Sequence, residues 1–233
     1  SIDLRAVLQK ISPRTKIIFI NNPNNPTGTI IKKEEFEKFI NNIPENIIIV
    51  LDEAYAEFVE TSDFPHGKNY LDTQRWIIVL RTFSKVYGLA GLRIGYGLAS
   101  QELTHYLNKV RQPFNVNSLA QAAALAALED NAHFEKTIQI VSEGRQYLYQ
   151  KLDQLGVHYI PSQSNFIMIH LGEKCAQLYD SLLRMGVIVR PLTSFGFPEH
   201  IRISIGTSEE NKRFIDTLKK ALSIINECKN GKI

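Results

Sequence analysis

The sequence predicts an α/β protein, with a mainly parallel sheet in the first part of the chain and an α+β region after it. Three short apolar runs predict the sheet, at residues 17–20, 47–51 and 76–80. Continuous runs of this length are typical of strands buried on both faces, as in parallel sheets. A helical pattern separates the first two runs, so the order strand, helix, strand indicates a parallel crossover.

The elements around these runs follow from periodicity and turn residues. Phe36, Phe39 and Ile40 recur at helical spacing within residues 34–40, before Pro44. The second crossover, residues 58–73, contains Pro65, His66 and Gly67 and is expected to be a loop. Residues 93–98 combine small and apolar side chains and predict a fourth strand.

The second half of the chain predicts helices first and a mixed region afterwards. Residues 101–155 have a helical pattern, with an alanine-rich section at 119–128 that has high helix propensity. Further elements are expected as strands at 165–170, 187–190 and 201–205 and as a helix at 178–185. A final amphipathic helix carries the stripe Phe214, Leu218, Leu222 and Ile225, and we expect a frayed tail at 229–232.

This order of elements predicts two directly packed domains. Residues 1–130 are expected to be the C-terminal part of a large α/β domain, and residues 131–233 a smaller α+β domain. Only a short lead-in precedes the first strand, and three or four strands make a modest parallel sheet. We therefore expect that an N-terminal section is missing from the chain.

Composition excludes several classes of protein. The formal net charge of +3 is spread along the 233 residues, without the basic stripe that nucleic acid requires. The apolar runs are far shorter than the roughly 18 residues of a membrane span. Two cysteines are too few for a disulfide framework and suit the cytoplasm. Six scattered histidines lack the spacing of metal ligands, so we expect no metal site.

Polar side chains follow the apolar runs where the strands are expected to end. Asn25 lies shortly after the first run, Asp52 and Tyr55 follow the second, and Thr82, Ser84 and Lys85 follow the third. The carboxyl ends of parallel strands form the ligand crevice of open α/β sheets. An amine, a carboxylate, a phenol and an amide are therefore expected to converge there.

These groups match the needs of an aldehyde cofactor such as pyridoxal phosphate. A lysine amine condenses with an aldehyde, and a buried carboxylate such as Asp52 keeps the pyridine nitrogen protonated. Tyr55 and Asn25 are the right residue types for the ring oxygen. Thr82, Ser84 and Arg93 offer hydroxyls and a planar cation for the phosphate, around a segment that could open a helix.

Four segments resemble the signatures of the class I/II aminotransferases of fold type I, and their order and spacing match too. They are Asn22-Pro23-Asn24-Asn25-Pro26-Thr27-Gly28, Asp52-Glu53-Ala54-Tyr55, Thr82-Phe83-Ser84-Lys85 with Arg93, and Arg202-Ile203-Ser204-Ile205-Gly206-Thr207. Within that superfamily the chain most resembles the histidinol-phosphate aminotransferases, on segments that include Ser164-Asn165-Phe166 and Gly186-Val187-Ile188-Val189-Arg190. The similarity extends over nearly all of the chain.

The resemblance implies a role for each matched residue. Lys85 would form the Schiff base and move the proton, and Asp52 would hold the pyridine nitrogen. The ring oxygen would be held by Tyr55 and Asn25, and the phosphate by Ser84 and Arg93. Arg202 resembles the arginine that binds the substrate carboxylate. Arg190 would serve a second anion, the phosphate of histidinol phosphate or the distal carboxylate of glutamate.

The resemblance also implies a reaction, a homodimer and an incomplete site. The reaction would be transamination between L-histidinol phosphate and 2-oxoglutarate or glutamate, with pyridoxal phosphate as cofactor. Upstream motifs of the family are not matched, so we expect these 233 residues alone to bind the cofactor weakly. Three alternatives stay open: another class I/II aminotransferase, aromatic or aspartate; a related decarboxylase; and a sensor domain that binds the cofactor without turnover.

Overall fold

A four-stranded sheet organises the first part of the structure, a computed structural model that describes residues 2–73 and 75–229. Its strands are β1 (Ile17–Asn21), β2 (Ile48–Asp52), β3 (Ile77–Thr82) and β4 (Gly95–Ala99), in the spatial order β1-β2-β3-β4. The first three strands are parallel and β4 is antiparallel to β3. The three apolar runs therefore form the parallel sheet that the sequence predicts, with Trp76 just outside β3.

Burial of the first strand differs from the prediction. Ile18 and Ile20 are buried, whereas 47% of Ile17 and 68% of Phe19 are exposed. Successive side chains of a strand point to opposite faces, so β1 is covered on one face only. The expectation of burial on both faces is wrong for β1, and it holds better for β2, whose three central residues are buried.

Two helices and two short 3-10 turns complete the core of this sheet. Helix α1 (Leu4–Gln9) begins where Asp3 accepts a hydrogen bond from the N–H of Ala6, at 3.0 Å. Helix α2 (Lys33–Asn41) buries the predicted stripe, and one of its rings contacts Tyr70 edge-to-face. Between β2 and β3 the chain forms 3-10 turns at Ala56–Phe58 and Gly67–Tyr70, so this crossover is largely the expected loop.

Three helices occupy the predicted helical stretch. They are α3 (Gln101–Val110), α4 (Ser118–Glu129) and α5 (Asn131–Gln154). Ser100 caps α3, and Asn117 caps α4 by accepting a hydrogen bond from Ala120, at 2.8 Å. The alanine-rich section is helical, as its propensity predicts.

A second sheet, entirely antiparallel, has the order β5-β6-β8-β7. Its elements, in chain order, are β5 (Tyr159–Ile160), β6 (Phe166–His170), α6 (Cys175–Arg184), β7 (Arg190–Pro191), β8 (His200–Ser204) and α7 (Ser208–Lys229). The predicted strand at 187–190 is wrong except at Arg190. Gly186 has a positive φ and Val187 donates back to Leu182, so these residues form the exit from α6.

The chain divides into two compact units. The first contains Ser1–Asn25 and Thr29–Thr137, and the second contains Pro26–Gly28 and Ile138–Ile233. The division passes through α5, seven residues after the predicted boundary at 130 (137 against 130), and through the turn at Asn25. In the expected frayed tail, Lys229 ends α7, and 230–232 lie outside the described residues.

Candidate active site

Asp52 lies at the carboxyl edge of the first sheet, where the sequence predicts a crevice. It is the last residue of β2 and is paired in register with Asn21, the last residue of β1. The backbone N–H of Asn22 donates to the carbonyl of Asp52, at 3.0 Å. One carboxylate oxygen, Oδ1, accepts a hydrogen bond from the N–H of Ala54, at 3.1 Å, which orients this half-buried side chain.

Lys85 follows β3 and lies beside Tyr55. Its Nζ atom is 5.2 Å from the centroid of the Tyr55 ring, within the range of a cation–π contact. Tyr55 is buried and follows β2, whereas Lys85 is half-buried. The parallel pairing of β2 with β3 thus brings a phenol and an amine together from positions thirty residues apart (85 − 55 = 30).

The segment around Lys85 is a hydrogen-bonded turn. The hydroxyl of Thr82 accepts from the N–H of Ser84, at 3.0 Å, and the carbonyl of Lys85 accepts from Gly88, at 3.0 Å. A short 3-10 helix at Ala90–Leu92 comes next, so the segment does not open an α-helix directly.

Arg93 ends this segment in an unusual backbone conformation. Its φ is +54°, in the left-handed region that non-glycine residues seldom adopt. The exposed guanidinium donates to the carbonyl of Ala90, at 2.7 Å. Such backbone strain is concentrated at functional sites, which agrees with a role in binding an anion.

Asn25 lies in a turn that leaves β1 and returns at Ile31. The side-chain oxygen of the buried Asn22 accepts from the N–H of Ile31, at 2.9 Å. The N–H of Asn24 donates to the carbonyl of Thr29, at 2.8 Å. Asn25 therefore lies in a closed, hydrogen-bonded turn and is half-buried there.

A buried ion cluster below this edge was missed by the sequence reasoning. Arg81 contacts Glu53 at 2.6 Å and Glu57 at 2.8 Å, and the exposed fractions of the three side chains are 11%, 1% and 7%. Burial raises the pKa of Glu53, although the charge of Arg81 opposes the rise. Gly67 also donates its N–H to Glu53, at 2.5 Å. A signal was present in the sequence, since Arg81 ends an apolar run.

This ion cluster fixes the two segments that carry the site residues. Glu53 directly follows Asp52, and Glu57 lies two residues after Tyr55 (57 − 55 = 2). Arg81 is part of β3 and lies four residues before Lys85 (85 − 81 = 4). One guanidinium therefore ties the chain on both sides of Tyr55 to the strand that leads to Lys85.

Arg190 and Arg202 lie in the second unit, directly opposite each other on β7 and β8. Side chains in this position share a face of the sheet, and two like charges there repel. The guanidinium of Arg202 lies 4.8 Å from the centroid of the Phe166 ring. Both arginines line a cavity of about 750 Å³, together with Arg213 and Tyr179. This cavity has the charge for an anionic ligand.

The structure thus places the predicted site residues in two groups. Lys85, Asp52, Tyr55, Asn25, Thr82, Ser84 and Arg93 belong to the first unit, and Arg190 and Arg202 belong to the second. Within the first unit, the pairing of strands brings Lys85 to Tyr55 and puts Asp52 at the same sheet edge. The convergence of the two groups stays a prediction.

The chain belongs to the family "Aminotransferase class I and II", whose model matches residues 1–218. Its fold is that of the fold type I aminotransferases. The histidinol-phosphate aminotransferase 2 of Pseudomonas fluorescens is 49% identical over 95% of this chain and 60% of its own length. The chain thus spans about three fifths of the length of the curated relatives it matches.

Two solved structures of histidinol-phosphate aminotransferases are also similar to this chain. The histidinol-phosphate aminotransferase of Sinorhizobium meliloti in complex with pyridoxal-5'-phosphate has a TM-score of 0.84 and 29% identity, over 95% of this chain and 60% of that one. The enzyme from Clostridium acetobutylicum has a TM-score of 0.86 and 26% identity, over 94% and 67%. In the described part of the present chain, no helix is long and apolar enough to cross a membrane. Its described His, Cys, Asp and Glu side chains form no group that could hold a metal ion.

Proposed function

We propose that the protein catalyses pyridoxal-phosphate-dependent transamination between L-histidinol phosphate and 2-oxoglutarate. The observation that carries the proposal is the contact of the Lys85 amine with the Tyr55 ring, at the sheet edge where Asp52 ends β2. The similarity to histidinol-phosphate aminotransferases supports the choice of substrate. The proposal includes a homodimer in the cytoplasm, which sedimentation and localisation of the protein would test.

The residues of the first unit fit pyridoxal phosphate by their chemistry. The donor set is an amine, a phenol, a carboxylate and an amide, with two hydroxyls and a guanidinium in the turn after β3. When bound, this cofactor supplies an aldehyde for a lysine amine and a ring that withdraws electrons from the substrate. In this proposal Lys85 would be the amine and Asp52 the carboxylate; the contact of Lys85 with Tyr55 and the hydrogen bond of Asp52 with Ala54 support these roles.

Asp52 keeps a proton on the ring nitrogen in this proposal. A carboxylate opposite a pyridine nitrogen stabilises its protonated form by charge and by hydrogen bonding. The N–H of Ala54 donates to one oxygen of the Asp52 carboxylate and helps to orient it. Tyr55 and Asn25 would donate to the ring oxygen, and Thr82, Ser84 and Arg93 would bind the phosphate.

Lys85 moves the proton that transamination requires. A free amine near the substrate carbon accepts a proton and returns it at another atom, which is general acid–base catalysis. The flexible four-carbon stem of lysine suits this transfer, since the amine must reach both atoms. The centroid of the neighbouring Tyr55 ring lies 5.2 Å from the amine, in the range of a cation–π contact.

The arginines of the second unit bind the anionic groups of the substrates. The guanidinium of Arg202 lies over the Phe166 ring. Its planar group can donate two parallel hydrogen bonds to a carboxylate or phosphate. Arg190 lies opposite it, so the two guanidinium groups are stabilised when an anion lies between or beside them. Arg190 would bind the distal carboxylate of glutamate or the phosphate of histidinol phosphate.

Half-reactions test this function directly. The protein is loaded with pyridoxal phosphate, and histidinol phosphate, L-aspartate and L-phenylalanine are each added without an acceptor. Histidinol phosphate should bleach the visible band of the bound cofactor fastest, and 2-oxoglutarate should restore it. Faster bleaching by aspartate or phenylalanine would assign the protein to another aminotransferase of the same family.

A further inference from the structure

The turn that carries Asn25 is anchored at its base in the first unit. Asn22 is buried there, and its side chain accepts from the N–H of Ile31 at 2.9 Å and donates to the carbonyl of Ile31 at 3.5 Å. The N–H of Asn24 donates to the carbonyl of Thr29, at 2.8 Å. The two arms of the turn are thus bonded to each other, and the N–H of Asn22 joins them to the carbonyl of Asp52 at the sheet edge, at 3.0 Å.

The tip of the turn, Pro26–Gly28, belongs to the second unit. The carbonyl of Gly28 accepts a hydrogen bond from the N–H of Gln163, at 2.8 Å. A Cβ atom added to Gly28 would lie 2.7 Å from the Cβ of Ser162 and closer still to its hydroxyl oxygen. Because φ is +71° as well, only glycine permits this approach without strain.

Ser162 is a fixed surface for the tip of the turn. It is buried, and the hydroxyl of Tyr149 accepts its N–H at 2.6 Å. Its own hydroxyl is 2.9 Å from the hydroxyl of Ser164 and accepts the N–H of Ser164, at 3.0 Å. Helix α5 and the segment just before β6 therefore hold Ser162 in place and leave Gly28 little freedom.

The link from Gly28 back to Asn25 is short and stiff. Pro26 has a fixed φ, and the residue before a proline is restricted to extended conformations. Asn25 is that residue. A displacement of Gly28 is consequently passed on to Asn25 rather than absorbed within the two residues between them.

We propose that Ser162 is a positioning residue for the cofactor site, because it fixes Gly28 and thereby places the side-chain amide of Asn25. The inference rests on the proposed function, in which Asn25 donates to the ring oxygen of pyridoxal phosphate. The same segment continues through Ser164 to Phe166, which underlies Arg202.

Two glycines with the same backbone strain provide a matched test. Gly28→Ala would collide with Ser162, whereas Gly156→Ala has a similar φ of +66° and no atom within 4 Å of the added Cβ. In a titration of the whole protein with pyridoxal phosphate, Gly28→Ala should raise Kd about tenfold and Gly156→Ala less than about twofold. Adding Ser162→Gly to Gly28→Ala should restore most of the affinity.

A double-mutant comparison with Asn25 distinguishes displacement of the Asn25 side chain from a general loss of protein stability. In an Asn25→Ala background, Gly28→Ala should change Kd by less than about twofold, because coupled residues are not additive. The melting temperature of the cofactor-free variants is recorded beside Kd. Should Gly28→Ala fail to fold, Ser162→Val tests the same contact from the other side, again with and without Asn25.

The possible results distinguish a failure of the inference about Ser162 from a failure of the proposed function. Equal weakening by Gly28→Ala and Gly156→Ala, or a full tenfold effect without Asn25, would overturn the role of Ser162 while cofactor binding stands. Failure of the unsubstituted protein to bind pyridoxal phosphate even weakly would overturn the proposed function, and the inference with it. Recovery by Ser162→Gly together with loss of the effect in Asn25→Ala would establish the inference.

Discussion

The amine of Lys85 lies 5.2 Å from the centre of the Tyr55 ring, and two parallel strands bring these residues together. A similar pair occurs on α3, where Lys109 lies 5.6 Å from the Tyr106 ring three residues away (109 − 106 = 3). The second pair follows from helix geometry alone. The first requires β2 and β3 to align, so its geometry depends on the tertiary fold.

These two pairs give a matched prediction for the cofactor bond. Lys85→Ala should abolish the visible band that pyridoxal phosphate gives on binding covalently to the protein, because the amine is lost. Lys109→Ala should leave that band unchanged, since Lys109 is an exposed residue of α3. Absorbance spectra during cofactor titration check both variants. A persistent band in Lys85→Ala would show that another amine forms the bond.

Asp52→Asn should lower kcat by about 100-fold or more, because the neutral amide stabilises a protonated ring nitrogen far less than a carboxylate does. The fold should survive, since an amide oxygen still accepts from the N–H of Ala54. Asp63→Asn is the control, because Asp63 forms a partly exposed ion pair with Lys32. Steady-state kinetics and circular dichroism of both variants provide the measurement. Equal loss in the two variants would contradict the assignment.

Arg202 and Arg190 should differ in which substrates they affect. Arg202→Lys should raise KM for both 2-oxoglutarate and 2-oxobutyrate by about tenfold or more, because lysine cannot form the bidentate contact with a carboxylate. Arg190→Lys should raise KM for 2-oxoglutarate only, since 2-oxobutyrate has no distal carboxylate. KM values for the two acceptors with each variant check the assignment. The reverse pattern would exchange the two roles.

Arg81→Met should destabilise the protein by about 3–5 kcal/mol, because it leaves two carboxylates buried without their cation. The contacts at 2.6 and 2.8 Å and the near-complete burial of all three side chains motivate this value. Lys38→Met breaks the exposed pair with Glu34 and should change stability little. Urea unfolding of the two variants measures the difference. A stable Arg81→Met protein would show that the carboxylates are protonated or solvated.

The lowered pKa of His200 predicts that the folded protein loses stability in acid. Burial lowers its pKa, the charge of His170 lowers it further, and Glu199 opposes both. A base with a lowered pKa in the folded state binds its proton more weakly there than in the unfolded chain. Its stabilising contribution is therefore present above the unfolded pKa of about 6.5 and is lost as pH falls through the folded pKa.

His200→Gln should accordingly weaken the pH dependence of unfolding between pH 7.5 and 5.5. One such group contributes at most about 1.4 kcal/mol per pH unit. Part of the slope should remain, because burial also lowers the pKa of His66. His158→Gln is a suitable control, since His158 is exposed on the same unit. An unchanged slope in His200→Gln would exclude this histidine as a source of the acid sensitivity.

Patterns of apolar residues predicted the strands and helices that form mainly through interactions between neighbouring residues. The apolar runs became β1, β2 and β3, and the stripe at Phe36, Phe39 and Ile40 became the buried face of α2. The strand predicted at 187–190 was wrong because Gly186 and Val187 complete the hydrogen bonding of α6. When an apolar run lies next to a helix end, its sequence does not show whether its backbone completes the hydrogen bonding of the helix or forms a strand.

In the candidate site, too, some residues could be proposed from the sequence and others were revealed only by the structure. Asn25, Asp52 and Lys85 could be proposed as site residues because each follows an apolar run, and parallel strands end at a common edge. The cluster of Arg81, Glu53 and Glu57 was missed: Arg81 ends an apolar run, but charged residues are usually solvated, and nothing in the sequence pairs Arg81 with Glu53 and Glu57. Their burial depends on the turn at Gly67, whose N–H reaches Glu53.

By itself, the sequence determined the class of the protein, the strands that carry its reactive side chains and the chemistry of those side chains. These features depend on residue type and periodicity, which are local properties. Tertiary structure alone decided the contact of Lys85 with Tyr55, the charges buried beneath it and the seating of Gly28 on Ser162. Each of these depends on distances between segments remote in the chain, and such distances are fixed only when the strands and turns pack together.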